Sequence, residues 1–529
     1  MNVGRENDMQ DTQTITHIVV VGGGAAGWLT ASVLAATSLH PCQVTLVESP
    51  DIGILGVGEG TWPTMRGTLQ KLGIDEADFL ACCDASFKQG TLFHQWQFNQ
   101  VGDQYYHPFS LPVGYGNGDL HDWLHSLGSG PSFAHEVSTQ PWVCDNHLAP
   151  KQIQTPAFAG VTNYGYHLDA YKFAAFLKHH ATTRLGVRHI VDHIMSVEGV
   201  PGAAIKAVVG KQHGPLCGDL FVDCSGFAAR LIGQHYQQPL VSCRNQLANN
   251  RAVALQAGYN TPEAPIASVT HSTAQQCGWI WDIALPARKG TGYVFSSDYC
   301  DDETALQTLL TYLKNDPTVQ AVDPSSARFF TFEPGYRESP WQANCVAIGT
   351  AMGVLEPLEA SALVMVELAA SHLAQHLPAT TEQLGPAARQ FNRIFSQRWS
   401  RVVDFLKIHY VLSKRDDSEY WRTMRNRHSC SEQLQDWLAM WRTRSPDPLD
   451  FNLREEVFPT ASYLYVLFGM GFIPELAINR TGKSGRSSVT QQRMNQHQQQ
   501  VHMQLNGLPT NRALLNHLTR AYQNNKEYS

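Results

Sequence analysis

Gly22, Gly24 and Gly27 follow a G-x-G-x-x-G spacing, and Glu48 stands 21 residues beyond the last of them. In that spacing the first glycine permits a tight turn, the second lets backbone approach a pyrophosphate, and the third lets a helix close on a strand. Free amides at Ala25 and Ala26 would face the phosphates, and the Glu48 carboxylate would take a ribose hydroxyl. Lys88 stands alone among apolar and small residues at 85–93. It is either a surface lysine with a snorkelling stem or an amine held in a pocket. Glu359 lies in Glu356-Pro357-Leu358-Glu359. Pro357 suits the first turn of a helix, whose free amides could hold an anion, while a carboxylate there could also merely favour the helix dipole.

These residues require particular elements around them. Residues 17–21 read as a buried strand, 28–37 as a helix and 43–47 as the strand that delivers Glu48, which makes the unit an α/β dinucleotide fold. A strand at 219–223 running into Cys224-Ser225-Gly226, and another at 345–348 running into Gly349-Thr350, would bring two further turns beside the first in one parallel sheet. Residues 187–197 and 204–209 are predicted to form a strand pair, and 65–72 and 76–83 to form helices. The nucleotide domain is therefore discontinuous over 17–380, with inserted segments at about 90–160 and 240–340. Residues 1–16 read as a loose polar tail and 381–529 as a mostly helical region covering the substrate. Phe391, Phe395, Trp399, Val402, Leu406 and Tyr410 form an amphipathic stripe expected to pack on the nucleotide domain. The Gln-rich run from 481 to 500 is expected to be an exposed helix or a tail.

At 529 residues the chain exceeds what one hydrophobic core usually holds. A formal charge of −7 without a long basic run argues against nucleic acid or an anionic membrane as partner and leaves a small molecule. The most apolar stretch, 18–36, contains four glycines and reads better as strand, turn and helix than as a membrane span. Eleven cysteines without a CxxC pattern fit reduced thiols in a cytoplasm. His121 and His125 stand one helical turn apart, but no third ligand accompanies them, so no metal site is expected.

Three other stretches bear on a ligand. Gly56-Val57-Gly58-Glu59-Gly60-Thr61 alternates small residues that would let backbone pass close to a planar ligand. Tyr105-Tyr106-His107-Pro108-Phe109 could form a stacking wall for a flat substrate. Trp279, Trp281 and Ile283 alternate, so they face one side of a strand, where they either cover a flavin or tunnel or simply fill a core.

Taken together, these motifs resemble the flavin-dependent tryptophan halogenase family over nearly the whole chain. The resemblance rests on Gly22-x-Gly24-x-x-Gly27, Gly56 to Thr61, Phe87-Lys88, His107-Pro108-Phe109, Trp279-x-Trp281-x-Ile283 and Glu356 to Ser361. It implies an FAD-binding Rossmann-like domain of the GR2/PHBH flavin monooxygenase type. FAD would be used as FADH2, with O2 and halide as co-substrates and a separate flavin reductase as supplier. By motif position, Lys88 would present an electrophilic halogen to the substrate ring and Glu359 would assist it. Amides of Ser361 and Ala362 would bind the halide, His107 and Phe109 the substrate ring, and Trp279 and Trp281 would line the tunnel between flavin and substrate. Gly58, Ile194, Gly349, Thr350 and Leu363 join the glycine turn and Glu48 as expected cofactor contacts, and a homodimer is compatible with the family.

The chain departs from the family pattern at Ala284, where proline is usual, and at Ser361 and Ala362, which replace threonine and glycine. Residues 458–471 lack the Phe-Trp pair and asparagine with which free-tryptophan halogenases hold their substrate, although Tyr463 and Tyr465 offer aromatic faces. The expected substrate is thus an electron-rich aromatic, indole-like or phenolic. A flavin monooxygenase or dehydrogenase, or a silent flavin-binding protein, is the competing expectation.

Overall fold

A computed structural model describes residues 13–51, 58–115, 133–452, 456–472, 474 and 488–527. His121, His125, Gly56 and Val57 lie outside the described residues. The α/β core is a six-stranded sheet in the order Trp341–Gln342, Cys345–Ala347, Leu220–Asp223, His17–Val21, Gln43–Glu48 and Arg188–Val191. All neighbours are parallel except the first pair. Its central strands are continuous Val/Ile/Leu runs with almost no exposed surface, as strands covered on both faces must be. The helices Ala25–Thr37, Ala170–Arg184 and Ser361–Gln375 pack together on one face.

The expected pair at 187–197 and 204–209 divides differently. Arg188–Val191 joins the edge of the nucleotide sheet, while Ile194–Glu198 pairs with Ala207–Gly210 in a separate three-stranded sheet with Gly214–Cys217. Asp192 separates the two: its amide bonds to Glu48 O, and its carboxylate accepts from the amides of His193, Gln212 and His213. That turn ends the first strand.

Residues from the two inserted segments share one seven-stranded sheet. Its order is Arg328–Thr331, Arg251–Gly258, Arg288–Phe295, Gly278–Ala284, Thr270–Gln275, Gly90–His94 and Gln104–Pro108. A small third sheet joins Gly58–Gly60, Gly165–Asp169 and Ser86–Lys88. His107 and the two tryptophans therefore sit on one rigid layer, next to the strand that ends in Lys88.

The 28-residue helix Leu384–Val411 crosses the molecule. Its stripe divides between two surfaces. Phe391 packs on Trp341 of the nucleotide sheet and Trp399 stacks on Tyr336, whereas His409 and Tyr410 reach the aromatic layer around Trp96 and Phe93. Residues 13–16 are tied down rather than loose: Ile15 is buried and its amide bonds to Ala379 O, and the Thr16 amide bonds to Asp219. The described part of the Gln-rich run is the helix Ser488–Gly507, and the following helix Asn511–Glu527 packs against Glu76–Cys82. No described helix is long and apolar enough to cross a membrane.

Candidate active site

Lys88 is held in the interior, with 1 % of its surface exposed. Among the described residues its amine has no hydrogen-bond or ion-pair partner, and it lies 5.7 Å from the centre of the Phe109 ring. Burial pushes the amine down to about 8, although the charges of Glu359 and Glu59 pull it upward. Glu59 is itself pushed up to about 7 by desolvation, with Lys88 opposing. The motif glycines make this placement possible. A Cβ at Gly60 would stand 2.9 Å from Lys88 Nζ and 3.1 Å from Ala360 Cβ, and one at Gly58 would meet Ile283. Gly60 thus admits a lysine where a gap for a planar ligand was expected.

Glu359 precedes the helix instead of lying in its first turn. The helix begins at Ser361, because Glu359 (φ 64°) and Ala360 (φ 53°) are both left-handed, which carries Pro357 a full turn upstream. Each such non-glycine residue costs roughly 1–2 kcal/mol, so the surroundings must enforce the turn. Trp62 does so by donating from Nε1 to Glu359 O at 2.8 Å. The carboxylate is buried, with Oε1 2.7 Å from His107 Nδ1 and 3.5 Å from His409 Nε2, while among the described residues Oε2 meets only Thr91 Oγ1, at 3.5 Å. Burial alone would raise this carboxyl. His107 first of all, with Lys88, outweighs it and holds the group below its ordinary range. Lys88 and Glu359 converge across Gly60, but no salt bridge joins them among the described residues; the ion-pair partner of Glu359 is His107.

On the substrate side, His107 lies 5.8 Å from Phe405 and 6.3 Å from Tyr465 between ring centres. Tyr463 meets Phe405 edge-on at 4.9 Å and otherwise packs in a cluster with Trp437, Trp441 and Phe451. Phe458 stacks on Phe405 at 3.7 Å and meets Trp62 at 4.8 Å, so it backs the same wall.

Gly278–Ala284 is buried along its whole length. Trp279 donates from Nε1 to Glu356 Oε2 at 2.9 Å, and Glu356 also accepts from Tyr410 and Asn249. Burial raises the Glu356 carboxyl. The Trp281 ring occupies the space a Cβ at Gly292 would need, 2.1 Å away, and its Nε1 has no partner. The strand ends beside Lys88, where Ser86 donates to Ala284 O.

The glycine turns converge at the carboxyl ends of the central strands, the ligand edge of an open α/β sheet. Gly22 (φ 122°) lies against Cys224 O, and a Cβ at Gly349 (φ 75°) would press on Ala26, with Thr350 near Gly226. A Cβ at Gly27 would strike Gly22 O at 1.9 Å, whereas one at Gly24 would meet nothing within 4 Å. Open space above Gly24, at the start of a helix with no acid in its first turn, suits a pyrophosphate. Glu48 lies in the gap left by Gly23; its Oε1 pairs with Lys178 and His189, and its Oε2 takes a 3.3 Å contact from Trp28. Burial opposes ionisation, but these partners bring the carboxyl down to about 2. It therefore remains an acceptor. Ile194 starts the strand just past the Asp192 turn, and Leu363 is buried in the helix that begins at Ser361. Ser361 and Ala362 are that helix's first two residues, and Ala362 is exposed.

The tryptophan halogenase family profile matches residues 17–483. The chain belongs to this family. Among relatives of tryptophan halogenase type, it is 33% identical to the tryptophan 6-halogenase SttH of Streptomyces toxytricini, covering 88% of this chain and 91% of that one. It is 31% identical to the tryptophan 7-halogenase RebH of Lentzea aerocolonigenes, covering 87% and 90%. A crystal structure of a tryptophan halogenase from Shewanella frigidimarina superposes with a TM-score of 0.88 at 43% identity, over 96% of this chain and 98% of that one.

Against this tryptophan halogenase frame, several residues escaped the sequence reading. Trp62 holds the Glu359 turn, Glu356 ties Trp279 to Tyr410, and His409 with Tyr105 stands behind Glu359. His409 falls three residues after Leu406, on the spacing of the apolar stripe, but a polar residue is not read as part of an apolar pattern.

Proposed function

We propose that this chain is an FADH2-dependent halogenase that uses O2 and chloride or bromide to halogenate an electron-rich aromatic, indole-like or phenolic. The observation that carries the reading is a buried, unpaired Lys88 amine facing a buried, ionised Glu359 beneath an aromatic wall. FAD, when bound, supplies hypohalous acid from reduced flavin, oxygen and halide. Gly22, Gly24, Ala25, Ala26, Gly27, Gly349 and Thr350 would cradle its phosphates and ring system, and Glu48 a ribose hydroxyl.

With its pKa near 8, roughly one amine in ten is neutral at pH 7. Lys88 can then hydrogen-bond hypohalous acid through its ammonium. Alternatively, the free amine takes the halogen, forming an N–halogen bond and releasing water. The substrate ring's π electrons attack the halogen, a carbon–halogen bond forms, and the N–halogen electron pair returns to the Lys88 nitrogen, which becomes an amine again by taking up the proton that the ring gives up through Glu359. Glu359 Oε2, which has only one long contact, stabilises the cationic ring and accepts its proton. His107 and Phe109 would place the ring. Trp279 and Trp281 would shape the passage without moving protons, since an indole N–H does not titrate usefully. The first amides of the helix at Ser361 and Ala362 would hold the halide.

A separate reductase would supply FADH2, because the sequence holds no second complete dinucleotide fingerprint. The test is mass spectrometry of an aromatic library incubated with the protein, FAD, a flavin reductase, NADH and bromide or chloride. Halogenated products only when the reductase is present support the reading. Hydroxylated or merely oxidised products would replace it with a monooxygenase.

A further inference from the structure

His409 is fully buried on the helix Leu384–Val411, with Nδ1 2.6 Å from the Tyr105 hydroxyl. Its other nitrogen, Nε2, makes no hydrogen bond of good geometry and lies 3.5 Å from Glu359 Oε1. A carboxylate only accepts, so the nitrogen facing it is favourable as N–H. Nδ1 must then carry the lone pair, and the Tyr105 hydroxyl donates to it. The carboxylate therefore sets the tautomer, and the Tyr105 hydroxyl, able to donate or accept, follows it.

We infer that His409, oriented by Tyr105 so that its Nε2–H faces the carboxylate, is a positioning residue that helps hold Glu359 ionised and leaves Oε2 free for the substrate. The inference rests on the halogenase reading, within which Glu359 works as a base. The groups facing the Glu359 carboxyl are His107 on the strand Gln104–Pro108, Thr91 on Gly90–His94, Lys88 on Ser86–Lys88, and His409 on the long helix. His107 and His409 both address Oε1, from opposite elements, so the carboxyl cannot rotate without losing both. Burial keeps His409 itself neutral down to about pH 4, which leaves it a donor through the working range. It adds no second positive charge to compete with Lys88.

Removing His409 withdraws the Nε2–H dipole that stands 3.5 Å from Oε1, and the carboxyl pKa rises. Halogenation by His409→Phe should then lose its acid limb at a pH about one unit above that of wild type, roughly a tenfold loss on the acid side with a loss under about threefold near pH 8. KM for the aromatic should stay within about twofold, and His409→Gln, which restores a donor, should bring the limb back. Tyr105→Phe, which removes the hydroxyl that orients the ring, should give an intermediate shift and serves if His409→Phe fails to fold. Histidine-selective 15N NMR of the protein without flavin should show His409 as Nε2–H. An Nδ1–H signal, or a variant rate lowered equally at every pH, would overturn the inference. Absence of halogenation in wild type would instead remove the proposed function, while the NMR tautomer would still decide whether His409 is built as described.

Discussion

Gly60 and Lys88 are fitted to one another: a single added carbon at Gly60 would stand 2.9 Å from the Lys88 amine. A buried amine without a partner is costly, and its displacement from 10.5 to about 8 corresponds to on the order of 3 kcal/mol. For a base with a depressed folded pKa the penalty is complete below pH 8 and vanishes above 10.5. Lys88→Met should therefore raise the melting temperature near pH 7, and the gain should shrink between pH 8 and 10.5. A Lys88→Met protein less stable than wild type at pH 7 would show that the lysine has a structural partner.

The glycine turn separates binding from folding at neighbouring positions. A methyl at Gly24 meets nothing, whereas one at Gly27 collides with Gly22 O. Gly24→Ala should fold within about 1 kcal/mol of wild type yet bind FAD at least about tenfold more weakly, since the pyrophosphate needs that space. Gly27→Ala should lose several kcal/mol of stability first. Calorimetry with flavin titration distinguishes the two; unchanged FAD affinity in Gly24→Ala would remove the cradle from this turn.

Gly292 receives the Trp281 ring. Gly292→Ala should displace that indole and lower halogenation by about tenfold or more, with flavin binding retained and hydrogen peroxide or free hypohalous acid appearing instead of product. Trp281→Phe removes an N–H that has no partner and should leave stability nearly unchanged while altering selectivity. If Trp281→Phe abolished halogenation with flavin binding intact, the indole would need a chemical role.

Much of the nucleotide sheet was legible because period and spacing are local: residues 17–48 specify strand, turn, helix and acid with no distant information. The turns after 223 and 348 were legible for the same reason. What escaped depends on contacts far apart in sequence. Residues 90–108 and 251–331 look like two insertions, yet they pair into one sheet, as Thr270 beside Thr91 shows. The left-handed turn at Glu359 was hidden because neither Glu359 nor Ala360 has a side chain that advertises positive φ; Trp62, nearly three hundred residues earlier, holds it. The Glu359–His107 pair was hidden for a related reason. Lysine is the obvious counter-ion on charge alone, but strand register delivers His107 to the carboxylate first.

The central claim is that Lys88 delivers the halogen and Glu359 assists it. Its most direct test is mass spectrometry of an indole substrate accepted by wild type, incubated with bromide, FAD, reductase and NADH beside Lys88→Ala and Glu359→Gln. The account predicts a two-line bromine isotope pattern in the wild-type product and none above background in Lys88→Ala. Glu359→Gln should retain a trace, about a hundredth to a tenth of the wild-type rate, and both variants should bind FAD normally. Near-normal bromination by Lys88→Ala, with its fold and flavin intact, would contradict it.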